Sequence, residues 1–325
     1  MMKHVFVINP IAGKTDASAA LTPEIRRAAE AAGVQYEIVR TTHAHHACEI
    51  ASEYVKTGEP VRIYACGGDG TLNELVQAAV GHTNICVGCV PCGSGNDYVR
   101  NFGTKEDFLD ITAQLQGGTA LVDVIETQYG YSVAICAAGL DAKVAYNIPR
   151  FRRIPGCGGT MAYTLSIIKV FFGRLPSKLS VTIDGRTTMG DYMMMAVCNG
   201  RLYGGGYSAA PYAMMDDGLL DVLLVKPMPR LKIPAMLAKY KVGAHLTQEG
   251  TVIPVLQPYM QVLHAKAVQL KVLDGRPLII TLDGECSPQT ALSARVVPHC
   301  LSILLPRTVC EHPQAVQAVA PAGTN

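Results

Sequence analysis

The residues able to do chemistry gather in short glycine-rich runs. The sharpest is Cys66-Gly67-Gly68-Asp69-Gly70-Thr71-Leu72-Asn73-Glu74, which follows an apolar strand-like stretch and opens a helix-like one. Three residues without side chains let backbone N–H groups come close to an anion, and a helix start adds the positive end of its dipole. Asp69 stands where a carboxylate facing a metal–phosphate pair would stand, and Thr71 can cap the helix or bind phosphate. A plain strand–turn–helix with a threonine cap needs neither three glycines nor an aspartate. A second run, Asn9-Pro10-Ile11-Ala12-Gly13-Lys14, ends the first strand-like stretch. A third, Pro91-Cys92-Gly93-Ser94-Gly95-Asn96-Asp97-Tyr98-Val99-Arg100, ends the fourth. There Ser94 can hydrogen-bond a phosphate, and Asp97 can hold Mg²⁺ or orient a substrate hydroxyl. The alternative is a solvated turn with Asp97 as a helix cap.

Two common nucleotide motifs are excluded. The dinucleotide fingerprint needs a glycine where Asn73 stands, and the P-loop pattern ending in Gly13-Lys14-Thr15 needs one where Ile8 stands.

The elements that must position these runs are read from hydropathy patterning. Near-continuous apolar runs predict strands over 3–9, 34–40, 61–66 and 85–91, and amphipathic runs predict helices over 16–32, 45–57 and 71–80. That alternation implies an N-terminal doubly wound parallel α/β domain, residues 1–123. In such a sheet, loops at the carboxyl ends of strands converge on the ligand, so the three glycine runs are expected to meet. From 124 to 305 strands dominate: 122–127, 131–137, 178–184, 192–198, 220–225, 267–273, 278–282, 291–297 and 301–305. Asp184-Gly185 and Asp274-Gly275 are turn signals between them, and helices are expected near 159–172 and 231–242. This half reads as an antiparallel β-sandwich-like domain. The stretch 306–325 is rich in Ala, Pro and Gln, and its end is expected to fray.

Composition narrows the classes. The 325 residues are 49% apolar and only 17% charged, with net charge +2. Without Trp, and with 6% aromatic residues, the chain offers neither the charge nor the stacking surface for nucleic acid. Eleven Cys in a chain whose N-terminal apolar run is short and leads into a strand point to reduced thiols in a cytoplasmic protein. No run is long and apolar enough to cross a membrane. A mean hydropathy of +0.21 is high and allows a greasy surface.

In order and interval, NPIAGK, GGDGTLNEL and GSGNDYVR resemble the diacylglycerol kinase catalytic family, which is shared with sphingosine and ceramide kinases. The bacterial soluble lipid kinases are the nearest match. The likeness continues through Asn199-Gly200-Arg201-Leu202-Tyr203-Gly204-Gly205-Gly206, Ala210-Pro211-Tyr212, Asp216-Asp217-Gly218-Leu219-Leu220-Asp221 and Leu282-Asp283-Gly284-Glu285. GGDGT alone is shared with NAD kinases, but GSGNDYVR matches the lipid enzymes.

The resemblance implies an ATP- and Mg²⁺-dependent lipid kinase, with diacylglycerol as acceptor and phosphatidic acid as product. A sphingoid base, ceramide or another lipid alcohol is the alternative acceptor, and a lipid- or nucleotide-binding regulator the non-enzymatic one. It implies that Asn9, Pro10, Gly13, Thr41 (or Thr42), Gly67, Gly68, Asp69, Gly70, Thr71, Leu72, Asn73, Glu74 and Ser94 line the ATP site. Glu285 would be the general base, otherwise a hairpin-turn carboxylate. Asp217, with the carbonyls of Met214 and Leu219, would hold a structural Mg²⁺, and is otherwise a β-turn aspartate. Asp69 and Asp97 would join an acidic network beside the phosphates. The resemblance also implies an active site in the crevice between the domains and a last segment packed on the first. Ser94 stands where the family often has Thr, which keeps the hydroxyl.

The partners expected are ATP and a lipid at the inner face of the membrane, reached by transient peripheral contact. Exposed β edges would allow a homodimer. Arg150-Phe151-Arg152-Arg153-Ile154-Pro155 and the stretch 167–175 mix bases with bulky apolar residues. That suits anionic headgroups, or else a core-packed helix with a solvated basic edge. His43, His45 and His46 lack the acid or Cys that would complete a metal set, and Cys89-x-x-Cys92 lacks the second pair of a zinc ribbon. Met193-Met194-Met195 reads as core.

Overall fold

The computed structural model describes residues 2–13, 16–93, 95–154 and 160–311. Two compact units divide the chain. The first takes residues 1–124, Met214–Gly218 and 297 onward; the second takes Ile125–Ala213 and Leu219–Val296.

The first unit holds β1 (Lys3–Ile8), α1 (Ser18–Ala32), β2 (Gln35–Arg40), α2 (His46–Thr57), β3 (Val61–Gly67), α3 (Asp69–Ala79), β4 (Ile85–Pro91), α4 (Lys105–Leu109), α5 (Ile111–Leu115) and most of β5 (Gly118–Thr127). Its parallel strands run in the order β2-β1-β3-β4. Val5 to Ile8 are all buried, as expected of a strand covered on both faces. Phe6 and Ile8 meet Leu21 and Ile25 of α1 and Ile111 and Leu115 of α5, while α2 and α3 pack together. Right-handed crossovers put α1 on one face and α2 and α3 on the other, because the chain reverses direction in the sheet between β1 and β3. That reversal is the switch point where a doubly wound sheet opens a crevice at its strands' carboxyl ends.

The second unit holds β6 (Gly130–Ser132), β7 (Ile135–Gly139), α6 (Leu140–Arg152), α7 (Thr160–Phe172), β8 (Ser177–Ile183), β9 (Arg186–Tyr192) and β10 (Met194–Cys198). It continues with β11 (Leu202–Tyr203), β12 (Tyr207–Ser208), β13 (Leu220–Val225), α8 (Ile233–Lys241), β14 (Met260–Ala265), β15 (Ala267–Val272), β16 (Leu278–Leu282), β17 (Glu285–Gln289) and the first part of β18 (Ala291–Leu305). One antiparallel sheet runs β14-β13-β10-β7-β16-β17; opposite it lie β18, β15, β8 and β9. Met195, Val197, Leu220 and Val222 of the first sheet share a core with Leu179, Val181, Val268 and Leu270 of the second, which makes a sandwich. The alternate residues Met194, Ala196, Leu223 and Val225 face a further core with Val144, Val170, Ile233 and Met236 of α6, α7 and α8. The central strands β7, β10 and β13 of the six-stranded sheet are therefore buried on both faces, and Met193-Met194-Met195 is core, as read.

The structure corrects several element readings. The helix α6 is not among the elements read from the sequence; it carries Pro149 within its last turn. β9 has no apolar alternation, since six of its seven residues are exposed. The strands expected at 291–297 and 301–305 are one strand, β18. It deviates at Pro298-His299, where His299 takes a φ of 48° and its N–H turns to the Asp123 carboxylate at 2.8 Å. After β18 comes α9 (Arg307–Glu311), with Val309 buried against the first unit's α5 side. No helix among the described residues is long and apolar enough to cross a membrane.

Two polar anchors brace the second unit. Asp283 lies in the two-residue turn between β16 and β17, where it and Gly284 both have positive φ, as a tight hairpin turn of the primed type requires. Its Oδ1 accepts from the Ser132 hydroxyl (2.8 Å) and from the N–H groups of Ala134 (3.0 Å) and Ile135 (2.9 Å); Oδ2 accepts from Val133 N–H (2.6 Å). Burial raises its carboxyl pKa, and these donors oppose the rise. In the other anchor, Asp141 at the start of α6 accepts from the Tyr203 and Tyr240 hydroxyls, the latter at 3.3 Å. Burial lifts its carboxyl to about 6, against the pull of both hydroxyls.

Asp283→Ala strips four donors of their acceptor. It should lower unfolding free energy by about 3 kcal/mol or more in urea titrations, while Asp283→Asn should lose less. An Asp141 pKa raised on folding makes the folded state the better proton binder between about 4 and 6. Its stabilising contribution is full below that window and lost as pH rises through it. Relative to Asp141→Asn, the parent chain should therefore lose roughly 2–3 kcal/mol between the two ends of the window. A pH-independent difference between the two would contradict this.

Candidate active site

The three glycine runs meet in the first unit. Asn9, just past β1, donates its side-chain amide to Thr71 Oγ1 (3.0 Å), accepts Ile11 N–H on its side-chain Oδ1 (3.1 Å), and ties its backbone N–H to Cys66 O (3.0 Å). Pro10 continues that loop. Gly13 has a φ of 89°, and a Cβ there would stand 2.6 Å from the Cys92 carbonyl, so the first run lies on the third. Thr41, just past β2, donates its N–H to Ile8 O at 2.9 Å, beside the same strand end.

The second and third runs touch backbone to backbone. Gly67 O accepts both Cys92 N–H and Gly93 N–H at 2.9 Å. A Cβ on Gly93 would come within 2.4 Å of Gly68 Cα, and one on Gly67 within 2.3 Å of Thr71 Oγ1. Gly68 is the N-cap of α3 and has no side chain to cap with. The first helical bond is Leu72 N–H to Gly68 O (3.2 Å), so the N–H groups of Asp69, Gly70 and Thr71 have no acceptor within the helix. Exposed Gly70 sits in this first turn. The result is a cradle of backbone donors at the positive end of an eleven-residue helix, of the kind that binds phosphate.

Asp69 holds the third run in place. Its Oδ2 accepts from Asn96 N–H (2.7 Å) and Asp97 N–H (3.3 Å), and its Oδ1 from Tyr98 N–H (3.4 Å). Asn96 is fixed at a φ of 66° and donates its amide to Gly93 O at 2.6 Å. Asp97 is buried and pairs with Arg100 at 3.4 Å. The short 3₁₀ turn that follows, Val99–Asn101, has Tyr98 rather than Asp97 as its N-cap, with no side-chain cap bond from Tyr98. Thr71 is not a cap either; its buried hydroxyl receives Asn9. Leu72 buries its side chain, and Asn73 accepts from Gln77 at 3.2 Å. Glu74 accepts from His45 N–H (3.0 Å) and Ala47 N–H (3.1 Å), which caps α2. The His43, His45 and His46 stretch is accordingly a helix entry, with the His43 and His46 rings stacked 4.5 Å apart. Ser94 lies outside the described residues. The Cys66 thiol is fully buried, and burial drives its pKa well up, so it is inert.

Sequence reading missed Asp123, whose signal is an acid inside the apolar run Leu121-Val122-Asp123-Val124-Ile125. It is fully buried, and its carboxylate accepts from Gly218 N–H (2.7 Å) and His299 N–H (2.8 Å). Its own N–H donates to Met215 O at 2.6 Å, and the His299 ring contacts Asp216 O at 3.1 Å. Burial raises its carboxyl pKa, the bonds from His299 and Gly218 oppose that, and the nearby Asp217 charge adds to it. These contacts shape the loop that carries Met214 and Asp217; Leu219 is the next residue after Gly218. An exposed carboxylate and main-chain carbonyls are the hard oxygen donors that Mg²⁺ takes. No three His, Cys, Asp or Glu side chains among the described residues form a metal cluster of their own. In the second unit, Glu285 is exposed as the first residue of β17, paired with Leu282 across the turn that Asp283 braces.

Comparison with known proteins agrees with this layout. Residues 3–127 match the diacylglycerol kinase catalytic domain, and residues 134–305 match the YegS C-terminal NAD kinase beta sandwich-like domain. The chain is 29% identical over 251 residues to a "Probable lipid kinase YegS-like" of Shewanella frigidimarina, covering 75% of this chain and 76% of that one. It is 28% identical to a diacylglycerol kinase of Mycobacterium tuberculosis, covering 94% and 96%. A solved diacylglycerol kinase structure from Bacillus anthracis shares the fold, with a TM-score of 0.67 at 18% identity over 94% of this chain and 98% of that one. The chain belongs to the diacylglycerol kinase catalytic-domain family of lipid kinases, with a YegS-type C-terminal β-sandwich domain.

Proposed function

We propose that this chain is an ATP- and Mg²⁺-dependent kinase that transfers the γ-phosphate to the hydroxyl of diacylglycerol, giving phosphatidic acid. The observation that carries the reading is the glycine cradle of the first unit, where a Cβ on Gly93 would come within 2.4 Å of Gly68 Cα and one on Gly67 within 2.3 Å of Thr71 Oγ1. Asn9, Pro10, Gly13, Thr41, the run Gly67 to Glu74 and Ser94 receive the triphosphate, with Leu72 and Glu74 serving through the helix they build. The N–H groups at the start of α3, which have no acceptor within the helix, favour the phosphate charge.

Phosphoryl transfer asks a protein mainly for positioning and charge stabilisation. Asp69 supplies positioning, through the backbone of Asn96 and Asp97 that it holds. Mg²⁺, when bound, would neutralise phosphate charge, with Asp97 in the acidic network beside it; Asp217 and the carbonyls of Met214 and Leu219 would hold a structural Mg²⁺. Glu285 takes the proton of the lipid hydroxyl as its oxygen bonds to the γ-phosphorus. The bond from that phosphorus to the β–γ bridging oxygen breaks, and ADP leaves. A general base of this kind contributes about 10²- to 10⁴-fold. The enzyme works in the cytoplasm and meets its acceptor at the inner face of the membrane. Sphingoid bases, ceramide and polyprenols offer the same hydroxyl chemistry.

With labelled ATP and a panel of lipids in detergent micelles, diacylglycerol should take the label fastest. A stronger preference for another lipid alcohol would reassign the acceptor, and no labelled lipid at all would end the kinase reading. Glu285→Gln and Asp69→Ala should each lose about 10²-fold or more in turnover while unfolding cooperatively. Robust turnover by Glu285→Gln would remove it as the base.

A further inference from the structure

Three strands of the six-stranded sheet end side by side. Cys198, the last residue of β10, pairs with Ile135, the first of β7, and Cys136 pairs with Leu282, the last of β16. Residues 133 and 134 lie just outside this ladder, between β6 and β7. Strand β17, which Glu285 opens, is the outermost of the sheet. Among the described residues it pairs only with β16, and it carries Pro288, which has no N–H to give. A short hairpin at a sheet's edge has little regular structure to hold it still.

Side chains take over where the ladder stops. The N–H groups of Val133 (2.6 Å), Ala134 (3.0 Å) and Ile135 (2.9 Å) all go to the Asp283 carboxylate. Their carbonyls are met largely from the other side. Val133 O accepts the Asn199 side-chain amide at 2.8 Å. Ala134 O accepts the backbone N–H groups of Asn199 (2.8 Å) and Gly200 (2.9 Å), and Ile135 O accepts Asp283 N–H (3.0 Å). Every backbone donor and acceptor of residues 133 to 135 is thus satisfied by residues 199, 200 and 283. The residue types suit the task. An ionised carboxylate only accepts, so it takes the donors; an amide can give the N–H that a carbonyl needs. Asn199 and Val133 are both buried, so water cannot replace their bond.

We propose that Asn199 is a positioning residue for Glu285. With Gly200 it grips residues 133–135 from one side while Asp283 grips them from the other, and this clamp fixes the turn that presents Glu285 to the acceptor hydroxyl. The Asn199-Gly200 run thereby acts on the reaction without touching substrate. A base held in one place keeps its proton transfer productive, and a small misplacement lowers the rate of the step itself rather than the affinity for nucleotide. The role given to Glu285 rests on the kinase reading; the clamp itself does not.

The test is a double-mutant cycle on the full chain, read beside amide hydrogen exchange. Asn199→Ala should lower kcat for transfer to diacylglycerol in detergent micelles by about tenfold, with KM for ATP unchanged. In a Glu285→Gln background the same substitution should cost less than about twofold, because its effect passes through Glu285. Ser132→Ala, which removes a hydroxyl 2.8 Å from Asp283 Oδ1, should show the same non-additivity. Val268→Ala, in the sandwich core, is the control for simple destabilisation, and any loss it causes should be equal in both backgrounds. In the exchange arm, without ATP or lipid, Asn199→Ala should speed exchange at residues 133–135 and 283–285 by about tenfold and leave Val222 to Leu224 of β13 as in the parent. Equal loss of turnover in both backgrounds, or parent-like exchange at 283–285, would overturn the proposal. Ser132→Ala replaces Asn199→Ala in both arms if the latter does not fold, and the exchange arm decides alone if Glu285→Gln is too slow to time. Absence of transfer by the parent chain would count against the kinase reading, while the exchange arm still judges the clamp.

Discussion

One carboxylate organises the first unit's site. Asp69 begins α3 and collects N–H groups from three successive residues of the loop after β4. A carboxylate accepting several backbone donors is a strong anchor, because hydrogen bonds to a charged group contribute about 1.5–3 kcal/mol each. Its effect is to press one loop's backbone against another's. That is why glycine stands at 93, where a Cβ would come within 2.4 Å of Gly68 Cα; at 67 a Cβ would strike Thr71 Oγ1. Asn9 then joins the first loop to the same helix start through Thr71. Acid, glycines and amide act as one device that gathers, at the switch point of a parallel sheet, backbone N–H groups with no acceptor within their own helix.

The second unit shows the same economy at its hairpin. Asp283 shapes the β16–β17 turn and also satisfies the backbone of residues 133–135, so the residue next to the turn, Glu285, is held by a buried anchor while remaining exposed itself. Around it, the central strands of the six-stranded sheet are covered on both faces, which explains why β10 and β13 read as continuous apolar runs rather than alternating ones. The tyrosine-bound Asp141 lies in the helical layer on the far side of that sheet from the sandwich core.

Much of this was legible in the sequence where one physical cause dominates. Buried parallel strands are near-continuous apolar runs, so β1, β3 and β4 could be placed from Val5, Ile63 and Val87 and their neighbours. Glycines that admit close backbone approach are visible as such, and the glycine-rich motifs carried the resemblance to the lipid kinase family, which the domain matches show. What stayed hidden depends on contacts distant in the chain. Glu74 looks like a member of the glycine motif, yet its carboxylate caps α2. Asp123 is an isolated acid until residues 218 and 299 come to it.

The most direct test is to follow backbone amide resonances while adding Mg²⁺ and a non-hydrolysable ATP analogue. The largest shifts should fall on Gly68 to Thr71 and on the loop after β4 at Gly93 to Asn96, with saturation at one site. If those amides stay unmoved while shifts gather elsewhere, the cradle does not hold the triphosphate.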